Sequence, residues 1–158
     1  MKVAEFFDLF VKELETMESL WSYYKYHTDP ASLQFRKAYF CQRLEYIQQH
    51  ITKPGSLTWD VGCGYGTTAL FLALNGYKIH GTTLEFYYKV IPDRVKYWSQ
   101  FGDVSGFTFD HEDIFEPAVS HQDYDYIIVQ DTLHHLEPLP QALSILKDHL
   151  KPSGEMVI

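Results

Sequence analysis

Cysteine is scarce in this 158-residue chain: only Cys41 and Cys63 occur, and Cys63 sits between two glycines. A disulfide framework is therefore not expected, and the pair of thiols suits a reducing, cytoplasmic compartment. Basic residues are also few, 13 against 21 acidic ones, for a formal charge of −8. Neutralising a phosphate backbone needs clustered Lys and Arg, and no such cluster exists, so nucleic acid is a poor candidate partner. No stretch approaches the ~20 consecutive apolar residues of a membrane span. Met1–Glu5 carries an acid early and has no signal-peptide pattern, which leaves a cytoplasmic protein without a membrane partner as the expectation. Internal repeats and low-complexity tracts are lacking as well.

What the chain does have is aromatic residues, 16% of the total, many of them early: Phe6, Phe7, Phe10, Trp21, Tyr23, Tyr24, Tyr26, Phe35, Tyr39 and Phe40. Residues 3–20 place Phe6, Phe7, Phe10, Leu14 and Met17 at helical spacing, and a second helix is expected from about Ser32 to Gln49. Asp29-Pro30 separates the two, and Lys53-Pro54-Gly55-Ser56 marks a turn. From there the pattern alternates. Strands are expected at 57–61, 78–84, 107–110, 124–129 and from 155, with helices at 67–75, 86–101 and 140–150. Gly76 is placed to stop the first of these helices, and Pro92 to break the second. Alternating strands and helices give an α/β fold with a parallel sheet and right-handed crossovers. Two regions follow: a helical cap over 1–52 and an α/β core over 53–158.

A strand runs straight into Asp60-Val61-Gly62-Cys63-Gly64-Tyr65-Gly66 and then a helix, an arrangement that holds nucleotides. Glycines there let the chain turn tightly and let a ligand approach the main chain. Glycine spacing alone also fits a plain strand-to-helix turn. Asp60 disfavours a pyrophosphate, which wants positive partners, and the lysine of a phosphate loop is absent. A carboxylate at this point suits a ligand with positive charge, such as the sulfonium and amino groups of S-adenosylmethionine. Glu85, at the end of the second strand, can accept hydrogen bonds from both hydroxyls of a ribose, and on its own fits NAD equally well. Asp113 can accept from an adenine amino group while Ile114 packs on the ring; a solvated acidic turn is the plainer alternative.

The residues from Trp59 to Gly66 resemble the first signature motif of class I S-adenosylmethionine-dependent methyltransferases. Glu85, Asp113-Ile114, the stretch 124–130 and the stretch 146–155 match the family's later motifs in order and spacing. The likeness covers about residues 55–158, while 1–50 correspond only loosely to a variable cap. It implies a Rossmann-like sheet of strand order 3-2-1-4-5. It also implies that Gly62 and Gly64 line the methionine part of the cofactor with Gln130 beneath it, Glu85 on the ribose and Asp113 and Ile114 on the adenine; Asp60, Cys63 and Gly66 of the same motif are expected to bind the cofactor as well. The family continues through the fifth strand, a further helix and an antiparallel hairpin, so the expectation is a core cut short at its C-terminal side. A second copy covering the fifth-strand edge is then a possible partner.

Methyl transfer from a sulfonium needs alignment, exclusion of water and, for some acceptors, removal of a proton. The best local candidates are Asp131, His134 and His135, just beyond the fourth strand, where open α/β sheets bind ligands. Asp131 and His135 would share a face if this segment is helical, and the carboxylate would favour the charged imidazole. Many small-molecule members of the family carry a similar Leu-His-His here, and those methylating phosphobases pair Asp and His at this separation. Adjacent histidines on a helix diverge, so no metal is expected, although His111 and His121 add loose possibilities. Tyr24 and Tyr26 in the cap could wall an acceptor pocket, or simply fill the cap's core. The leading expectation is methyl transfer to oxygen or nitrogen of a small molecule. A cofactor-binding but inactive module and an NAD-dependent oxidoreductase stay open, the latter weakened because Gly66 falls one residue early for Gly-x-Gly-x-x-Gly.

Overall fold

The structure, a computed structural model, describes residues 1–25, 29–53, 55–115 and 123–158. They fall into two compact units, 1–50 and 51–158.

The first unit is helical: α1 (Val3–Leu14), α2 (Glu18–Tyr23) and α3 (Pro30–His50). Val3, Phe6, Phe7, Phe10 and Leu14 are buried along one face of α1, as spacings of three and four residues require. Phe40 of α3 meets three of them, with ring centroids 6.0 Å from Phe6, 5.0 Å from Phe7 and 5.3 Å from Phe10. The helix expected over 3–20 is interrupted, because the chain turns extended at Met17 (φ −129°, ψ 104°). Thr16 supplies the local reason: its hydroxyl and its backbone N–H both donate to the Glu13 carbonyl, at 2.8 and 2.9 Å. Such local bonding competes with the helix ladder.

The second unit is a five-stranded sheet of order β3-β2-β1-β4-β5, with every pairing parallel. Its strands are β1 (Leu57–Val61), β2 (Lys78–Thr83), β3 (Phe107–His111), β4 (Tyr124–Ile128) and β5 (Leu150–Val157). All five residues of β4 and four of β1 are buried, as expected of central parallel strands covered on both faces. Trp59, Val61, Ile114, Tyr124, Ile127 and Val129 form one core with Ala142 and Leu146 of α7 (Leu139–Asp148). Five consecutive side chains of α4 (Thr67–Leu74) are buried as well. α4 stops at Gly76 as the sequence predicts: Gly76 N–H donates to Ala73 O at 2.9 Å and Tyr77 N–H to Leu72 O at 3.2 Å, the Schellman pattern. Pro92 likewise divides the expected 86–101 helix into α5 (Glu85–Tyr88) and α6 (Ile91–Trp98), standing in the first turn of α6, where its missing N–H is not needed.

The fifth strand begins earlier than expected. Leu150 pairs with Tyr124 and Glu155 with Tyr126, so 151–154 bulge within the strand and regular pairing runs from Glu155 to Val157. At this amino-terminal end of the sheet, Asp125 gathers three donors. Lys53 Nζ reaches Oδ1 at 2.8 Å, while Leu57 N–H and Lys151 Nζ reach Oδ2 at 3.0 and 2.9 Å. Hydrogen bonds from Lys53 and then Lys151 hold this carboxyl well below the ordinary carboxylate range. One side chain thereby ties β1, β4 and β5 together.

Candidate functional site

At the opposite end of the sheet β1 feeds the glycine loop. Gly62, Gly64 and Gly66 all take left-handed backbone, with φ of 68°, 55° and 73°. Cys63 N–H donates to Thr82 O at 2.9 Å, and Gly66 N–H to Cys63 O at 2.8 Å, which folds the loop back before α4. Thr132 packs against Gly62 so closely that a Cβ there would lie 2.3 Å from Thr132 Cγ2. The Thr132 hydroxyl lies 3.2 Å from the Gly62 carbonyl and 3.1 Å from that of Gln130, and can donate to either. At Gly66 a Cβ would meet the Phe107 ring at 2.8 Å, whereas at Gly64 it would meet nothing within 4 Å. The loop is thus packed at both ends and open in its middle.

The candidate acids line this same carboxyl end. Asp60, opposite Gly81 and Ile128, is only 3% exposed. Glu85 opens α5 just past β2, with a side chain 64% exposed and ion-paired to Lys89 at 2.8 Å. The hydrogen bond from Lys89 lowers the Glu85 carboxyl below its ordinary value. Asp113 follows β3, exposed, and its Oδ1 accepts from Phe115 N–H at 3.0 Å. Ile114 turns into the core with Trp59 and Val61, so most of its surface is committed to packing. Gln130 lies two residues past β4 and accepts a hydrogen bond from the Thr68 hydroxyl at 2.9 Å. The Cys63 thiol is pushed well above its ordinary value, by burial first and then by Asp60. It stays a neutral thiol, a poor nucleophile.

Beyond β4 the expected helical face is not formed. Asp131 has left-handed backbone, φ 53°, and only Leu133–His135 wind into a short 3₁₀ turn. Asp131 and His135 therefore do not stand one above the other on a helix. The two histidine rings, expected to diverge, lie 3.9 Å apart between centroids. Among the described residues no group of three or more His, Cys, Asp or Glu is arranged to hold a metal ion. His111 rests against Tyr88, at 5.5 Å. Tyr24 belongs to the helical unit, edge-on to Phe10 at 5.0 Å. Tyr26, His27 and His121 lie outside the described residues.

Comparison with known proteins adds what geometry alone does not. A family described as a methyltransferase domain matches residues 33–158. The chain belongs to this methyltransferase family. Ubiquinone biosynthesis O-methyltransferase of Rickettsia canadensis is 29% identical over 121 residues, covering 73% of this chain and 49% of that one. Phosphoethanolamine N-methyltransferase of Triticum aestivum is 25% identical over 114 residues, or 72% of this chain and 22% of that protein. A solved structure of coclaurine N-methyltransferase, bound to N-methylheliamine and SAH, superposes with a TM-score of 0.61 at 18% identity, over 72% of this chain and 33% of that one. The chain spans about half the length of the ubiquinone-pathway relative or less of the other two.

Two supports of the methyltransferase loop escaped the sequence. Thr132 reads as an ordinary loop threonine, and only its contact with Gly62 gives it a role. Arg94 reads as one more basic residue on α6, yet it is fully buried. Its Nη1 donates to the Tyr65 carbonyl and to the Thr67 hydroxyl, both at 2.7 Å. No spacing or periodicity signal separates such an arginine from a solvated one.

Proposed function

We propose that the chain binds S-adenosylmethionine across the carboxyl ends of β1–β4 and transfers its methyl group to oxygen or nitrogen of a small molecule. The observation that carries this reading is the glycine loop, packed at Gly62 and Gly66 and open at Gly64, with Asp60, Glu85 and Asp113 along the same edge. These carboxylates suit the cofactor's positive charge. A pyrophosphate would need cationic partners at the loop, and the arginine behind it spends Nη1 on Tyr65 O and Thr67 Oγ1.

In this reading Gly62, Cys63, Gly64 and Gly66 present main chain to the methionine part, with Gln130 beneath it and Asp60 as its carboxylate. Glu85 accepts from the ribose hydroxyls, and Asp113 from the adenine amino group beside the edge of Ile114. The bound cofactor supplies a methyl group already activated on a sulfonium. His135 or His134, both exposed beyond β4, accepts the proton that the acceptor's O–H or N–H loses. The two relatives, one named for O- and one for N-methylation, support either acceptor atom. Cys41 and Cys63 are both free thiols, in keeping with a reducing cytoplasm. No described helix is long and apolar enough to cross a membrane. β5 stands at the sheet edge, a surface that a second copy could cover.

Calorimetry with S-adenosylhomocysteine tests the cofactor, and transfer of a labelled methyl group to a metabolite panel tests turnover. Saturable one-to-one binding is expected. No binding at millimolar ligand, or thermal stabilisation by NAD instead, overturns the assignment.

A further inference from the structure

Arg94 is the most buried basic group in the α/β unit, and it lies under the loop that the proposed cofactor would use. Fully buried arginines are rare unless paired, because taking a guanidinium out of water is costly. Here that charge is directed at the loop. Nη1 holds the carbonyl of Tyr65 at 2.7 Å, in the peptide unit between left-handed Gly64 and left-handed Gly66. The same nitrogen holds the hydroxyl of Thr67, the first residue of α4, also at 2.7 Å. Arg94 thereby joins the end of the loop to the start of the helix.

The rest of the setting restricts movement further. The Tyr65 ring is buried, edge-on to Tyr87 at 4.8 Å, and Phe107 closes on Gly66. Asp60 and Arg94 act on the Cys63 thiol with opposite sign, so charges of both signs are felt at the loop. Gly66, the N-cap of α4, supplies no side-chain cap. A guanidinium near a helix N-terminus is electrostatically adverse, an effect that its 2.7 Å hydrogen bonds to Tyr65 O and Thr67 Oγ1 oppose.

We propose that Arg94 is a positioning residue: from beneath, it fixes the Tyr65-Gly66 peptide and the start of α4, holding the glycine loop in its ligand-receptive form. The proposal rests on the assignment of this loop to S-adenosylmethionine. Loss of the guanidinium leaves the Tyr65 carbonyl buried with a donor removed, and the loop samples other backbone states.

The test pairs two readouts. Amide hydrogen exchange on the unliganded protein reports the loop by itself: in Arg94→Met the Gly66 and Leu70 amides, which donate to Cys63 O and Gly66 O, should exchange at least about tenfold faster. The Ile79 amide, which donates to Gly106 O in the sheet, should keep its rate. Calorimetry with S-adenosylhomocysteine should show affinity about 10- to 100-fold weaker than wild type. Arg94→Lys, which keeps the charge on a shorter, more flexible side chain and cannot place its nitrogen where Nη1 stands, should lie between them. Unchanged loop exchange together with unchanged affinity in Arg94→Met overturns the proposal. If Arg94→Met does not fold, Arg94→Lys decides: wild-type exchange and wild-type affinity in that variant overturn it. Failure of the wild-type protein to bind S-adenosylhomocysteine refutes the cofactor assignment instead, and the exchange measurement still judges Arg94 as the support of the loop.

Discussion

The two ends of the parallel sheet treat carboxylates in opposite ways. At the amino end Asp125 is 8% exposed at its side chain and accepts from Lys53, Lys151 and the Leu57 amide. At the carboxyl end Glu85 and Asp113 are exposed, each with a local partner on its own segment. The satisfied acid joins three strands, and its hydrogen-bonding capacity is used within the fold. The exposed acids join nothing distant, so their spare lone pairs face solvent where open α/β sheets bind ligands. A carboxylate bound by the chain itself serves stability, whereas Glu85 and Asp113, left accessible, are available for the recognition proposed for them.

The largest expected effect breaks the amino end. Asp125→Asn removes the charge that two lysines share, and should destabilise the protein by about 3 kcal/mol, roughly 6–12 °C in Tm. The affinity of the folded protein for S-adenosylhomocysteine should not change. Because the folded-state pKa of Asp125 is lowered, its contribution is present above the ordinary carboxyl pKa of about 3.9 and is lost as pH falls through the folded value. Thermal melts of wild type and Asp125→Asn should therefore differ by a constant margin near neutrality and converge in acid below about pH 4. A margin that persists undiminished well below pH 4 would show that Asp125 stabilises by packing alone.

The next effect compares two glycines, one at each end. Gly55 and Gly64 both have positive φ, 72° and 55°, and a Cβ at either would meet nothing within 4 Å. Alanine at each therefore introduces backbone strain of about 1–2 kcal/mol with no packing clash. Gly55→Ala should lose stability alone. Gly64→Ala should lose similar stability and also weaken S-adenosylhomocysteine binding more than about tenfold, since its methyl group fills the side from which a ligand meets the main chain. Equal affinities in the two variants would remove Gly64 from the site.

Much of this was legible in the sequence, for reasons that also set the limits. The strands, the glycine loop and the strand-end positions of Glu85, Asp113 and Gln130 follow from local signals, apolar runs and turn residues, whereas the strand order came with the resemblance to the methyltransferase family. The Gly76 and Pro92 helix boundaries are fixed by backbone chemistry and came out as expected. Where tertiary partners decide, the signal disappears. Asp131 and His135 have the spacing of a helical pair, yet left-handed backbone at Asp131 breaks that register. Arg94 and Thr132 earn their roles from contacts with residues 29 and 70 positions away. No window of sequence contains both partners.

The smallest expected effect concerns Glu85, and it turns on Lys89. Glu85 and Lys89 form an exposed i,i+4 pair, which is worth little to stability, so Glu85→Gln should leave the melting temperature nearly unchanged. A ribose engaging Glu85 must share or displace Lys89, which offsets part of the gain. The affinity loss in Glu85→Gln should accordingly be modest, about threefold to tenfold. Lys89→Met sharpens the contrast with Asp125. Lys53 and Lys151 hold their carboxylate as part of the fold, whereas Lys89 only competes for one, so its removal should tighten S-adenosylhomocysteine binding slightly. The gain should shrink at high salt, where the competing pair is already screened. Weaker binding in Lys89→Met would mean that the lysine orients Glu85 for the ribose, and the carboxyl end would then hold its acids in place as the amino end does.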